Sequence, residues 1–227
     1  MKDRIEQIQK RISAAAEKAG RSPDEIRLVA VSKAKPGASV QMALDAGLDL
    51  FGENYIQEAR EKVNALSASG AQWHFIGHLQ SNKAKYAVKL FDLIHSVDSL
   101  KLARELNKQA ARIDKVQPVL VQVNISAETT KSGTSREEAV DLATAISDLP
   151  NLSLQGLMTM PPFFDDPDRA RPYFHELRQL RDHIRSLAIP GVTMDELSMG
   201  MTGDFEAAIS EGATLVRIGT AIFGERS

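Results

Sequence analysis

Apolar residues recur at Ile5, Ile8, Ile12, Ala15 and Ala19, three or four apart, which lays one stripe along an opening helix that ends near Gly20. Beyond that point the period changes. Short apolar runs at 27–31, 48–52, 73–76, 93–97, 119–123, 152–157, 194–197 and 215–218 predict eight strands. Helix-period segments, such as 39–46 and 55–66, fall between them. The alternation predicts parallel pairing, because a chain that re-enters a sheet in the same direction needs a crossover helix. Eight such units in 227 residues favour an α/β fold, a single (β/α)8 TIM barrel with an extra N-terminal helix, over an open doubly wound sheet. No linker breaks the series, so residues 1–227 read as one domain. Residues 160–171, with Pro161, Pro162, Pro167 and three aspartates, read as a surface connection.

Charge and composition narrow the function more than the fold. With 28 basic and 30 acidic side chains the net charge is −2, and no dense basic block offers a footprint for a phosphate backbone, so nucleic acid is not expected as a partner. The absence of cysteine excludes disulfides, thiolate metal sites and a cysteine nucleophile, and fits a reducing, cytoplasmic setting. No apolar run approaches the roughly 18 residues of a spanning helix, so no membrane insertion is expected. Mixed charge on the outer helices and no large apolar patch point to a monomer.

In a parallel barrel the carboxyl ends of the strands converge on one mouth, so the polar residues that follow each apolar run are the candidates for chemistry. Val29-Ala30-Val31-Ser32-Lys33-Ala34-Lys35-Pro36 comes first. Period-two alternation sets Lys33 on the face of Val29 and Val31, where a partly desolvated amine is favoured in its neutral, nucleophilic form. Leu197-Ser198-Met199-Gly200-Met201-Thr202-Gly203-Asp204 follows strand seven, with Thr202 as a candidate cap of the next helix and its unpaired amides as an anion site. Arg217-Ile218-Gly219-Thr220 belongs to strand eight and its loop. Loops after strands seven and eight are common phosphate sites in barrels. Asn54, in Phe51-Gly52-Glu53-Asn54-Tyr55, can both donate to and accept from a ligand. His74 and His78 lie four apart, but Gly77 breaks any helix that would align them and no carboxylate joins them, so no metal site is expected. Arg178, Arg181 and Arg185, interleaved with Glu176 and Asp182, read as a solvated helix face.

A lysine for an aldehyde, a two-loop phosphate cradle and no metal describe a site for a phosphorylated aldehyde; pyridoxal 5′-phosphate and an aldolase-type sugar phosphate both fit. The stretches AVSKAKP (30–36), FGENYIQE (51–58), WHFIGHLQSNK (73–83), GLMTM (156–160), LSMGMTGDFEAAI (197–209) and VRIGTAIFG (216–224) resemble the pyridoxal phosphate homeostasis protein family over nearly the whole chain. The resemblance implies one barrel similar to the alanine racemase N-terminal domain that binds pyridoxal 5′-phosphate without a demonstrated turnover reaction. Position by position it implies Lys33 as the Schiff-base lysine of an SK-x-KP motif, with Lys35 as the second lysine. It implies Thr202, Gly219 and Thr220 at the phosphate, Ser198 and Arg217 near the pyridine nitrogen or the phosphate, and Asn54 against the ring. Thr202 stands where the family often has Ser, and Ala34 where it often has Thr.

A racemase of this barrel type resembles the chain only through its first domain and draws an opposing tyrosine from a second. The chain ends soon after strand eight, at Gly224-Glu225-Arg226-Ser227, and offers only Lys33 as a clear proton-transfer group. The expectation is therefore a non-enzymatic carrier that holds the cofactor as a lysine aldimine and passes it to apo-enzymes. A weak amino-acid racemase is the alternative.

Overall fold

The computed structural model describes residues 1–126, 128 and 132–225. Arg226 and Ser227, the last two residues of the expected domain, lie outside the described residues. The apolar runs form β1 (Arg27–Val31), β2 (Leu50–Glu53), β3 (Gln72–Phe75), β4 (Leu93–Val97), β5 (Gln117–Gln122), β6 (Leu152–Met158), β7 (Val192–Met201) and β8 (Leu215–Ile218). Each pairs in parallel with the next, and β8 returns to β1 in the register Arg27–Leu215 to Ala30–Ile218, which closes the barrel. The opening stripe forms α1 (Lys2–Lys18), ahead of the first strand, with Ile5, Ile8, Ile12 and Ala16 buried. The strands are followed in turn by α2 (Gly37–Asp45), α3 (Ile56–Ala65), α4 (Ala84–Leu90), α5 (Leu100–Ala111), α6 (Arg136–Ser147), α7 (Arg171–Ser186), α8 (Phe205–Ser210) and α9 (Thr220–Phe223). The expected barrel with its extra N-terminal helix is the fold. Helix α1 lies against α8 and α9.

Strand alternation divides the apolar side chains into two cores. Val29, Leu50, Leu93, Leu120, Met158 and Leu215 form a separate buried cluster inside the barrel. Their neighbours, such as Ala30, Phe51, Ile94 and Val119, turn outward into the larger core under the helices. Each fully buried aliphatic side chain contributes roughly 1.5–3 kcal/mol, so register is strongly held on both faces.

Several strand limits move from the apolar runs, most by one or two residues, and two of the shifts have a local cause. β2 starts at Leu50 rather than at 48, because Gly47 (φ +93°) turns the chain and the Leu48 N–H donates back to Ala43 O at the end of α2. β7 runs on to Met201 rather than stopping at 197, so Ser198 lies within the strand and not in the loop after it. Irregular pairing allows this. The register shifts against both β6 and β8, and Met194 adopts φ +55°. The close β6–β7 approach depends on Gly156, where a Cβ would sit 1.9 Å from Glu196 O.

Candidate functional site

The carboxyl ends of the strands open on a cavity of about 320 Å³. Six sequence candidates line it, namely Lys33, Asn54, Thr202, Arg217, Gly219 and Thr220. Ser198, the seventh, is buried beneath and reaches the cavity through Arg217. Val31 and Ile76 form apolar wall. The opposite wall comes from the stretch read as a plain connection. Its Met160, Phe163 and Phe164 line the cavity, with Phe164 stacked on Tyr173 and covered by the Arg169 guanidinium.

Lys33 sits in a turn directly after β1. The Lys35 N–H donates to Ser32 O at 3.0 Å, and Ala34 takes φ +58°. Val31 and Lys33 both face the cavity, as the alternation implied, and Lys33 is half-buried. Lys35 points away from it and donates from Nζ to Glu225 O at 2.6 Å. Across the cavity the Thr220 hydroxyl donates to Thr202 Oγ1 at 3.3 Å, joining the loops after β7 and β8. Thr202 is not the helix cap. Asp204 holds the N-cap position of α8, and its Oδ1 accepts from the Met201 N–H at 2.6 Å, which closes a turn and leaves the Thr202 side chain directed at Thr220. Burial raises the Asp204 carboxyl above its usual range, with the Met201 N–H acting in the opposite direction.

A polar layer lies under the cavity, inside the barrel. Arg217 from β8 donates to Ser198 Oγ at 2.5 Å and to Thr159 O at 2.8 Å. Ser198 Oγ lies 2.8 Å from His95 Nδ1, and His95 Nε2 lies 3.0 Å from His74 Nδ1. Since Arg217 can only donate, giving the Ser198 proton a partner sets the direction of the chain: Ser198 donates to His95 Nδ1, and the His95 Nε2–H donates to His74 Nδ1. Burial, above all, holds both rings neutral. It lowers His74 to about 3, with the Arg27 charge adding to it, and it lowers His95 well below its ordinary value, with His74, Arg217 and Arg27 adding to it. Burial also lowers Arg217, to about 10, against the favourable charge of Asp204.

A second network lies behind the lysine turn. The Glu53 side chain at the end of β2 is fully buried, and its Oε1 accepts from Ser32 Oγ and from Lys62 Nζ, each at 2.6 Å. Lys62, on the inner face of α3, also donates to Ser32 O at 2.7 Å. Glu58 Oε2 accepts from the Ala34 N–H at 2.8 Å.

His95, Glu58 and Lys62 are absent from the sequence candidates, and Glu53 enters only as a neighbour of Asn54. The available signals were a histidine inside the apolar run 93–97 and a lysine beside Ala59 on the buried face of α3. His74 and His78 do not converge: His74 is bonded to His95 inside the barrel, while His78 is exposed beside Asp98 at 3.7 Å. Arg178, Arg181 and Arg185 lie near Glu211, Asp182 and Asp195, respectively, but they are not one solvated face: Arg185 is exposed, Arg178 is partly buried and the Arg181 side chain is only 14% exposed. Among the described residues, no helix is long and apolar enough to cross a membrane.

The alanine racemase N-terminal domain family matches residues 4–227. A pyridoxal phosphate homeostasis protein of Aquifex aeolicus is 44% identical over 224 residues, covering 99% of this chain and 97% of that protein. The Escherichia coli protein of the same name is 45% identical over 225 residues, covering 98% and 95%. The structure of PipY from Synechococcus elongatus with PLP bound superimposes with a TM-score of 0.82 at 34% identity, covering 94% of this chain and 100% of that one.

Proposed function

The chain belongs to the alanine racemase N-terminal domain family and, within it, to the pyridoxal phosphate homeostasis proteins, and on that premise we propose that it holds pyridoxal 5′-phosphate on Lys33 as a reversible carrier that supplies apo-enzymes. One observation carries this reading: a lysine from the β1–α2 turn and a hydroxyl pair from the loops after β7 and β8 face each other across one cavity of about 320 Å³. The size is at the lower end of the range for small-molecule sites. Asn54 lines the cavity, and its Oδ1 is buried with no hydrogen-bond partner among the described residues. The apolar walls of Val31, Ile76 and Phe163 suit a flat heteroaromatic ring, with Asn54 at the cavity to meet its polar substituents.

Each residue then has a task. The Lys33 amine adds to the aldehyde carbon and one water leaves; hydrolysis of the resulting imine restores both partners. Bound in this way, the group supplies an electron-withdrawing ring conjugated to that imine. Thr202 donates its hydroxyl proton to the phosphate, Thr220 gives up its bond to Thr202 to donate its own, and Gly219 lets the backbone approach the anion. Arg217 has N–H groups beyond those spent on Ser198 and Thr159, and directs them at the ring nitrogen from the floor. Ser198 acts through Arg217 and not by touching the ligand.

The test is spectroscopic. The purified protein mixed with the cofactor is expected to show a visible imine band, and borohydride reduction should place the added mass on Lys33. Lys33→Ala should lose both, and an undiminished band in that variant rejects the assignment. Incubation with amino acids in deuterated water separates carrier from catalyst: α-carbon exchange beyond one equivalent per site rejects the carrier reading.

A further inference from the structure

The residues on either side of Lys33 are both gripped by charged side chains from β2 and α3. Ser32 is held twice, through its hydroxyl by Glu53 and through its carbonyl by Lys62. Ala34 is held by its N–H, on Glu58. That hold matters because Ala34 lies in the left-handed region at φ +58°, which a residue with a Cβ enters only at a cost. Lys62 ties the grip together, 2.6 Å from Glu53 Oε1 and 3.8 Å from Glu58 Oε2, with its side chain 6% exposed. A buried ion pair of this kind is a poor source of stability, because desolvation offsets the attraction, and apolar side chains of similar volume often serve as well. Burial raises the Glu53 carboxyl, with the Lys62 and Ser32 hydrogen bonds opposing the shift. The expensive arrangement is spent on one turn, and that turn carries the lysine.

We propose that Glu53, Lys62 and Glu58 are positioning residues that fix the Ser32–Lys35 turn so that the Lys33 amine is aimed into the cavity before any aldehyde arrives. This rests on the reading of Lys33 as the imine-forming lysine. Loosening the turn leaves the amine in place chemically but spreads its directions, and misplacement on the 1 Å scale costs up to about a hundredfold in rate.

Three variants test this. Glu58→Ala removes the acceptor for the Ala34 N–H from a partly exposed position, Glu58→Gln restores a neutral acceptor, and Glu53→Gln/Lys62→Met removes the buried charges as a pair. Imine formation with pyridoxal 5′-phosphate is followed by stopped-flow absorbance, and amide exchange of residues 32–35 is followed in the cofactor-free protein below each variant's unfolding temperature. The expected result is imine formation slowed about tenfold or more in Glu58→Ala and in the double variant, with amide exchange accelerated by a similar factor. Glu58→Gln is expected to return both to near wild-type values. Wild-type imine rates in Glu58→Ala and the double variant overturn the proposal, even if their thermal stability falls. If the wild-type protein itself takes up the added mass at another lysine, the failure lies with the reading of Lys33 on which the proposal stands.

Discussion

Acid should weaken this protein through His74, and one substitution isolates the effect. The ring is 2% exposed and bonded to His95, and its folded pKa of about 3 lies far below the ordinary value of about 6.5. Between those two values the unfolded chain binds a proton at His74 and the folded chain does not. Stability therefore rises with pH in this window, and is lost as pH falls through about 6.5 toward 3. At pH 5 the difference amounts to about 2 kcal/mol, and at pH 8 it vanishes. His74→Gln removes the titration but keeps an amide oxygen to accept from the His95 Nε2–H. Glu53 and Asp204, whose raised carboxyls act with the opposite sign in acid, are common to both proteins and cancel in the comparison. Urea unfolding followed by circular dichroism at pH 8, 7, 6 and 5 measures the difference. The gap between the two proteins should shift in favour of the variant by about 2 kcal/mol from pH 8 to pH 5, a midpoint change of roughly 1 M urea. Parallel curves would refute the reasoning, for they would mean that His74 takes up its proton inside the folded barrel.

The remaining predictions concern close approaches and the phosphate site proposed above. Gly77→Ala places a Cβ 2.4 Å from Asn54 O, so Asn54 has to withdraw by at least about 0.6 Å; cofactor affinity by equilibrium dialysis should fall about tenfold or more, and unchanged affinity would disconnect Asn54 from the ligand. Thr202→Val and Thr220→Val should each weaken binding of pyridoxal 5′-phosphate about tenfold while leaving pyridoxal binding nearly unchanged, and equal losses on both ligands would remove the phosphate from this pair. Gly156→Ala should cost on the order of 3 kcal/mol or more in urea unfolding, since backbone and not a movable side chain meets the new methyl group. A wild-type midpoint would show that β6 and β7 separate at no cost.

The barrel was legible because its strands are buried on both faces, so apolar runs such as 93–97 and 215–218 coincide with β4 and β8. β7 was read short because Ser198 to Met201 look like loop residues, and only pairing across a shifted register makes them strand. Lys33 and Thr220 could be placed at the cavity from sequence for a simple reason: each closely follows an apolar run, and a parallel barrel brings all such positions to one mouth. His95 and Lys62 could not. A polar residue inside an apolar run does not announce its partner, and His95 meets a serine 103 positions away. The Thr202 cap failed on a local competition: Asp204, two residues later, provides the carboxylate that accepts the Met201 N–H.

Closure of the sheet bears on how the carrier proposed above would meet an acceptor. Because β1 to β8 each have two hydrogen-bonded neighbours, the barrel has no open margin at which a foreign peptide could add itself as a further strand. On the carrier reading proposed above, an acceptor enzyme would have to dock through side chains of the rim loops or outer helices, and clients could be exchanged by rewriting those surfaces while the staves of the barrel stay as they are.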